Sequence, residues 1–245
     1  MGEHARFFIE GSHQIGDVVT LAGADARKIL VVLRMKSGET IEIVDSSGTR
    51  FSAELEVARE RVRGRLDSLI ERPTETKLTV ALAQGIPKGQ KMELVVEKAT
   101  ELGVMRILPF FAERTIGEHL GEAKLERWRR VARSAAQQSG RGVVPLVEAP
   151  QRFDALAALI ETFDRTIVAW ELAARIPLQE RLPALLAGVS TVLAIVGPEG
   201  GLTHAEAQLA QAAGASVVSM GPRILRTETA GLVLCSAILY AAGEI

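Results

Sequence analysis

The first 72 residues alternate apolar and polar positions over short runs. Phe7–Ile9, Val18–Leu21, Thr40–Val44, Phe51–Val57 and Val62–Leu69 are apolar or alternating, and several of their side chains are β-branched. Gly11-Ser12, Ser37-Gly38 and Asp45-Ser46-Ser47-Gly48 fall between them as turn signals, so the pattern predicts a series of short strands. Ala24–Val32 reads as a helix with Asp25 near its start. Many short strands in one stretch suggest a small barrel. The polar segment Glu71-Arg72-Pro73-Thr74 reads as the linker that follows it.

From residue 77 the period changes. Leu78–Ala83, Ile107–Phe110, Thr166–Trp170, Thr191–Val196 and Val217–Met220 read as buried strands. Helices are predicted between them. Residues 88–102 place Met92, Val95, Val96, Ala99 and Leu102 on one face and stop at Gly103. Lys124–Gln138 does the same with Leu125, Trp128, Val131, Ala132 and Ala135, and stops at Gly140. Thr203–Ala213 opens on a capping box, Thr203 with Glu206. Residues 228–242 form a largely apolar closing helix. Strands alternating with helices imply a parallel sheet covered on both faces. The chain thus reads as two domains, 1–72 and 73–245, the second of α/β class.

Composition narrows the class. No stretch approaches 18 uncharged apolar residues, so no membrane span is expected. The first residues are charged and lack an apolar run, unlike a secretory leader. Cys235 is the only cysteine, which excludes an internal disulfide and fits a reducing, cytoplasmic location. With four scattered histidines beside it, no metal site is expected. Aromatic residues are 4%, too few for a platform that stacks nucleic-acid bases.

The net charge of −1 hides an asymmetry. Residues 73–150 carry an excess of three positive charges and residues 151–245 an excess of three negative ones. Lys124–Arg141 holds six cations against one glutamate. Such a stripe is either a solvated helix face or a surface for an anionic partner.

Two loops carry candidate chemistry. Gly197-Pro198-Glu199-Gly200-Gly201 follows a buried strand, where ligands of open α/β sheets bind and where glycines let a ligand approach the backbone. A plain strand-to-helix turn explains the same residues. Gly221-Pro222-Arg223-Ile224-Leu225-Arg226-Thr227-Glu228-Thr229-Ala230 places two arginines between a buried strand and a buried helix. In the plain reading Thr227 and Thr229 cap that helix and Arg226 pairs with Glu228. The two loops lie side by side if their strands are neighbours. Gly85-Ile86-Pro87-Lys88-Gly89-Gln90-Lys91 lacks the spacing and hydroxyl of a phosphate loop.

GPEGG followed by MGPRILRTETA resembles the SPOUT class of S-adenosylmethionine-dependent RNA methyltransferases. With AQGIPKGQKMELVVEKATELGV, ILPFFAERT and RWRRVARSAAQQSGRGVVP, essentially the whole chain is similar to the bacterial 16S ribosomal RNA (uracil-N3)-methyltransferase family. RFFIE and VVLRMKSGETIEIVD resemble that family's N-terminal PUA-like RNA-binding barrel. The chain departs from the family at Asp25-Ala26-Arg27-Lys28, where the family carries histidines.

The resemblance implies a C-terminal SPOUT domain with a trefoil knot, a homodimer, and 16S rRNA or the assembled small ribosomal subunit as partner. It implies a bent S-adenosyl-L-methionine held by three loops. These would use Trp170 and Leu172; Gly197, Pro198, Glu199, Gly200 and Gly201; and Met220, Gly221, Ile224, Leu225, Arg226, Thr227, Thr229 and Ala230. Ile195, Leu225 and Ile224 would wall the adenine. Methylating uridine N3 requires stabilising a deprotonated uracil, a role that falls to Arg226. Glu199 and Glu228 are equal candidates for base or for orienting Arg226. Lys88, Lys91, Arg114, Arg127, Arg130, Arg133 and Arg141 would hold RNA phosphates. Gln137 and Gln138 would reach bases or backbone, with a plain polar helix end as the alternative, and Arg6 and Arg34 are candidate RNA contacts in the barrel, with surface ion pairing as the equal alternative. Three other readings share parts of the pattern: a SPOUT enzyme for another base or a ribose hydroxyl, a non-catalytic RNA-binding protein, and an α/β enzyme for a small anion.

Overall fold

The computed structural model describes residues 4–59, 61–71, 74–115, 120–173 and 178–245. They form two compact units, Met1–Glu75 with Ala136–Val143, and Thr76–Ala135 with Val144–Ile245. The boundary expected at 72/73 falls on residues outside the described ones. The return of residues 136–143 to the first unit has no local signal in the sequence.

The first unit is a curled five-stranded sheet. Its strands are β1 (Arg6–Phe8), β2 (Val18–Leu21), β3 (Thr40–Val44), β4 (Arg50–Ala58) and β5 (Arg61–Leu69), in the order β1-β3-β4-β5-β2. β1 runs parallel to β3 and the other pairs are antiparallel. Along β5 buried Val62, Gly64 and Leu66 alternate with exposed Arg63 and Arg65, as a one-sided sheet requires. Phe7, Ile29, Ile41, Ile43, Phe51 and Leu55 fill its core. The helix expected at Ala24–Val32 is α1 (Gly23–Arg27) running into a π-helical turn, Lys28–Leu33. Only Ile29 of that turn is buried, and Arg34 closes it with φ 53°.

The second unit begins with β6 (Thr79–Gly85), α2 (Lys91–Glu101), β7 (Arg106–Phe111), α3 (Glu122–Ser139, counted with the first unit from Ala136 on), β8 (Leu146–Val147), β9 (Gln151–Arg152) and α4 (Phe153–Ala157). It continues with β10 (Arg165–Ala169), α5 (Leu178–Leu186), β11 (Thr191–Val196), α6 (His204–Ala212), β12 (Ser216–Val218) and α7 (Thr227–Ala241). Every strand pair is parallel, in the order β12-β10-β11-β6-β7-β8, with β9 also on β7. Along β6, Val80 and Leu82 enter one core with Met92, Trp128 and Leu234, while Ala81 and Ala83 enter a second with Phe110, Phe153 and Leu193. Both faces are covered, as the apolar strands required.

The differences from the expected elements have local causes. The helix expected over 88–102 starts at Lys91, because Pro87 and Gly89, at φ +70°, precede it. Lys88 therefore sits in a loop. The last strand ends at Val218, two residues early. α4 spans five residues and α5 contains Pro183, so neither shows a clean helical period.

Candidate functional site

β11 ends in the Gly197–Gly201 loop, and five parts of the second unit hold that loop. The Thr227 hydroxyl donates to the Gly197 carbonyl at 2.6 Å. The buried Gln84 amide donates to the Thr227 oxygen at 2.8 Å. The Arg114 guanidinium donates to the Gly200 carbonyl at 3.0 Å. Glu199 accepts from the Lys88 amide and from Lys91 Nζ, each at 3.1 Å. Gly85 is the floor, where a Cβ would overlap Pro198 N and lie 2.7 Å from the Gly197 carbonyl carbon. The turn is closed by Gly201 N donating to the Pro198 carbonyl at 2.9 Å, with Gly201 at φ +68°. Burial raises the Glu199 pKa, but its amide donors and Lys91 outweigh that, and the carboxyl titrates below its ordinary range.

The strands β11 and β12 are not neighbours, because β10 lies between them. The two loops meet all the same, through Thr227 on Gly197. Thr227 is thus not the helix cap of the plain reading. Arg226 is the N-cap residue of α7, and its carbonyl accepts from Thr229 N and Ala230 N. The Arg226 side chain is exposed and has no partner among the described residues. Glu228 does not pair with it. Glu228 Oε2 lies 3.4 Å from Lys91 Nζ and makes no hydrogen bond. Gly221, at φ +99°, faces open space, and Ile224 is 92% exposed. Met220 and Leu225 are half-buried.

The third loop follows β10. Trp170 Nε1 donates to the Leu202 carbonyl at 3.2 Å, and its ring meets His204 edge-on. Glu171 packs its carboxylate where a Cβ on Gly201 would stand. Leu172 is 59% exposed. All three loops leave the carboxyl ends of β10, β11 and β12, which are consecutive in the sheet, the ligand-binding edge of parallel α/β folds. Ile195 is fully buried in the second core.

Three residues outside the expected set matter here. Gln84 links β6 to Thr227. Gly231 lets α7 close on it, since a Cβ there would lie 2.6 Å from Gln84 Oε1. Glu206 completes the capping box with Thr203 and also accepts from Glu113 N at 2.8 Å, tying the end of β7 to α6. Only the capping box had a sequence signal.

The expected RNA contacts separate into two groups. Arg6 and Arg141 are buried, and they serve the first unit. Arg6 donates to Glu42 at 2.7 Å and to the Arg141 carbonyl at 3.3 Å, while Arg141 pairs with Glu75 at 2.6 Å. Arg50 completes this cluster on Glu42. Gln137 joins them by accepting from Lys28 Nζ and donating to Asp25. Exposed Arg34 and Gln138 remain on the surface of that unit. In the second unit Lys88 and Arg114 are exposed, Arg127 pairs with Glu93 at 2.8 Å, and Arg130 reaches back to the Glu126 carbonyl. Arg133 is half-buried on the same helix. Burial pushes the Cys235 thiol up to about 12, which leaves it inert. Among the described residues no cluster of His, Cys, Asp or Glu suits a metal, and no helix is long and apolar enough to cross a membrane.

A model of the RNA methyltransferase domain matches residues 74–239. The chain is 34% identical to the Bacillus subtilis ribosomal RNA small subunit methyltransferase E, over 96% of each chain. It is 30% identical to the Mycobacterium tuberculosis protein of the same name, over 95% of this chain and 90% of that one. Among solved structures, the Neisseria gonorrhoeae ribosomal RNA small subunit methyltransferase E bound to S-adenosyl methionine matches with a TM-score of 0.85 at 30% identity, covering 97% of this chain and 98% of that one. A putative methyltransferase of Legionella pneumophila with bound cofactor gives the same score and identity over 98% of each chain.

Proposed function

This chain belongs to the ribosomal RNA small subunit methyltransferase E family and is an S-adenosylmethionine-dependent methyltransferase of small-subunit ribosomal RNA; we propose that the atom it methylates is N3 of a uridine. The residues present suit the cofactor. Leu172 and Ile224 are large apolar side chains left in water on two of the three loops, a surface that a flat apolar group such as adenine would cover. Glycines expose the backbone between them. Glu171, Glu199 and Glu228 put three carboxylates on or beside these loops.

When bound, S-adenosylmethionine supplies an electrophilic methyl carbon, whose bond to the sulfonium sulfur breaks as the bond to uracil N3 forms. The chain must therefore free N3 of its proton. Arg226, exposed and unpaired beside this loop edge, is assigned the negative charge that deprotonation spreads over uracil O2 and O4. Of the two carboxylates, Glu228 is assigned the N3 proton. Glu199 is held below its ordinary range by Lys88, Lys91 and its own amide, which makes it a weak base and a strut of the loop. Glu228 Oε2 is buried and makes no hydrogen bond, and its charged neighbour is Lys91 Nζ at 3.4 Å. Lys88, Arg114 and Arg130 are assigned to RNA phosphates.

The reading extends to the whole assembly. The curled sheet of the first unit is the PUA-like RNA-binding barrel, with Arg34 and Gln138 on its surface, and the second unit carries the trefoil knot. The enzyme works as a cytoplasmic homodimer. The free Arg226 beside the braced Gly197–Gly201 loop is the observation that carries the mechanism. The test is methyl transfer from labelled S-adenosylmethionine into undermethylated small subunits and naked 16S rRNA, with digestion to nucleosides. Label in 3-methyluridine is expected. Label in any other nucleoside overturns the assignment of N3.

A further inference from the structure

We propose that the cavity beside the Gly197–Gly201 loop, between the β6 and β7 ends, receives the target nucleotide with its base turned out of the RNA. This rests on the RNA methyltransferase reading. The cavity measures about 680 Å³ and opens at the carboxyl ends of β6 and β7. That is ample for one nucleotide, since ligand pockets run from roughly 300 Å³ upward. Pro198, Glu199 and Gly200 form one wall, so an occupant here touches a loop assigned to the cofactor, and Lys91, 3.1 Å from Glu199 and 3.4 Å from Glu228, joins that wall to the carboxylate assigned the N3 proton.

Its lining has the two chemistries that a nucleotide requires. Phe111, half-buried at the end of β7, presents an aromatic side chain to the cavity, and base stacking on such a ring is worth about 1–3 kcal/mol. This is a single stacking partner, consistent with a chain too poor in aromatics for a platform. Three cations, Lys88, Arg114 and Lys124, line the same space. Glu199 does not neutralise their side chains, because it is taken up by Lys91 Nζ and the Lys88 backbone amide. Among the described residues Lys88, Arg114 and Lys124 have no carboxylate within ion-pair distance, and Lys124 rests over the Trp128 ring. An apolar slot rimmed by unpaired cations matches a base with its flanking phosphates. Turning the base out costs a few kcal/mol of stacking, which these contacts offset. Phe111 and Lys124 become determinants of substrate binding that lie outside the cofactor loops.

The experiment compares wild type with Lys124→Glu and Phe111→Leu on undermethylated small subunits, with S-adenosylmethionine affinity measured by calorimetry. Wild-type transfer establishes the reading beneath the proposal, and its absence despite cofactor binding overturns that reading and not the geometry alone. With transfer established, Lys124→Glu is expected to raise KM for the subunit about tenfold and to reduce the salt slope by about one, with cofactor affinity unchanged. An RNA carrying 4-thiouridine at the target position is expected to photocrosslink to the peptide containing Phe111, and more weakly in Phe111→Leu. An unchanged KM together with crosslinks elsewhere overturns the cavity assignment. A loss of cofactor affinity parallel to the rise in KM also overturns it, by giving the cavity to the cofactor.

Discussion

The Gly197–Gly201 loop and the Ser219–Arg226 loop leave the same edge of one sheet, yet one is held at every residue and the other is nearly bare. In the first, the Gly197 carbonyl, the Pro198 ring, the Glu199 carboxylate, the Gly200 carbonyl and the Gly201 amide are each engaged. In the second, the described hydrogen bonds before the helix start reduce to Gly221 N donating to Ser219 Oγ at 3.3 Å, while Arg223, Ile224 and Arg226 stand in water. The fold therefore braces the first loop from several sides and leaves the side chains of the second open to what binds. The division predicts that changes in the first loop's supports lower stability, and that changes on the second lower turnover.

Arg226→Ala breaks the comparison most sharply. Among the described residues the side chain has no partner to lose, so the melting temperature should hold while kcat falls about 10²–10³-fold, the usual loss for one donor to a developing oxyanion. Initial rates at saturating cofactor, beside calorimetric melting, decide it. A lower melting temperature with unchanged kcat would make Arg226 a structural residue. Gly85→Ala should act in the opposite sense. Its Cβ meets backbone that has no rotamer to change, at a cost of about 1–3 kcal/mol in urea unfolding, with weaker cofactor binding. Gly221→Ala meets only open space, so its cost is limited to left-handed strain of about 1–2 kcal/mol. Equal effects at the two glycines would abolish the distinction between the loops. Thr227→Ala removes the bond that joins them and leaves the Gly197 carbonyl and the Gln84 amide short of a partner, which should cost about 1–2 kcal/mol. Thr227→Ser should recover most of it, and a Ser variant as poor as Ala would show that packing of the methyl group matters instead.

The sequence made one half of this arrangement visible and hid the other. Apolar runs at Leu78–Ala83 and Thr191–Val196 announced strands buried on both faces, and Thr203 with Glu206 announced a helix start that the structure reproduces in full. Those signals are local, written within a few residues. Gln84 bonding Thr227 across 143 positions is not local, and nothing in either segment marks the pairing. The cations show the same limit. The resemblance placed Arg6 and Arg141 among the RNA contacts, with ion pairing as the equal alternative for Arg6, whereas each is buried against a glutamate distant in the chain, Glu42 for one and Glu75 for the other. A charge count cannot tell a cation facing water from one paired inside, because the partner is chosen by the tertiary fold. The π-helical turn at Lys28–Leu33 escaped for a related reason, since its apolar run reads equally as an ordinary helix.

The smallest expected effect sharpens the comparison by pH. Glu199 titrates below its ordinary value in the folded chain, so its ionised form is stabilised by folding. A group with a depressed folded pKa adds stability above its unfolded pKa and loses it as the pH falls through the folded one. The advantage of wild type over Glu199→Gln should therefore be constant near neutrality, shrink below about pH 4.3, the ordinary glutamate value, and vanish in stronger acid. Because Lys91 is open to solvent, added salt should reduce the same advantage at pH 7. Urea midpoints of the two proteins across a pH series measure it. If the gap instead persists undiminished into acid, the carboxylate charge contributes nothing, and the loop is held by Thr227, Arg114 and the closely packed Gly85 alone.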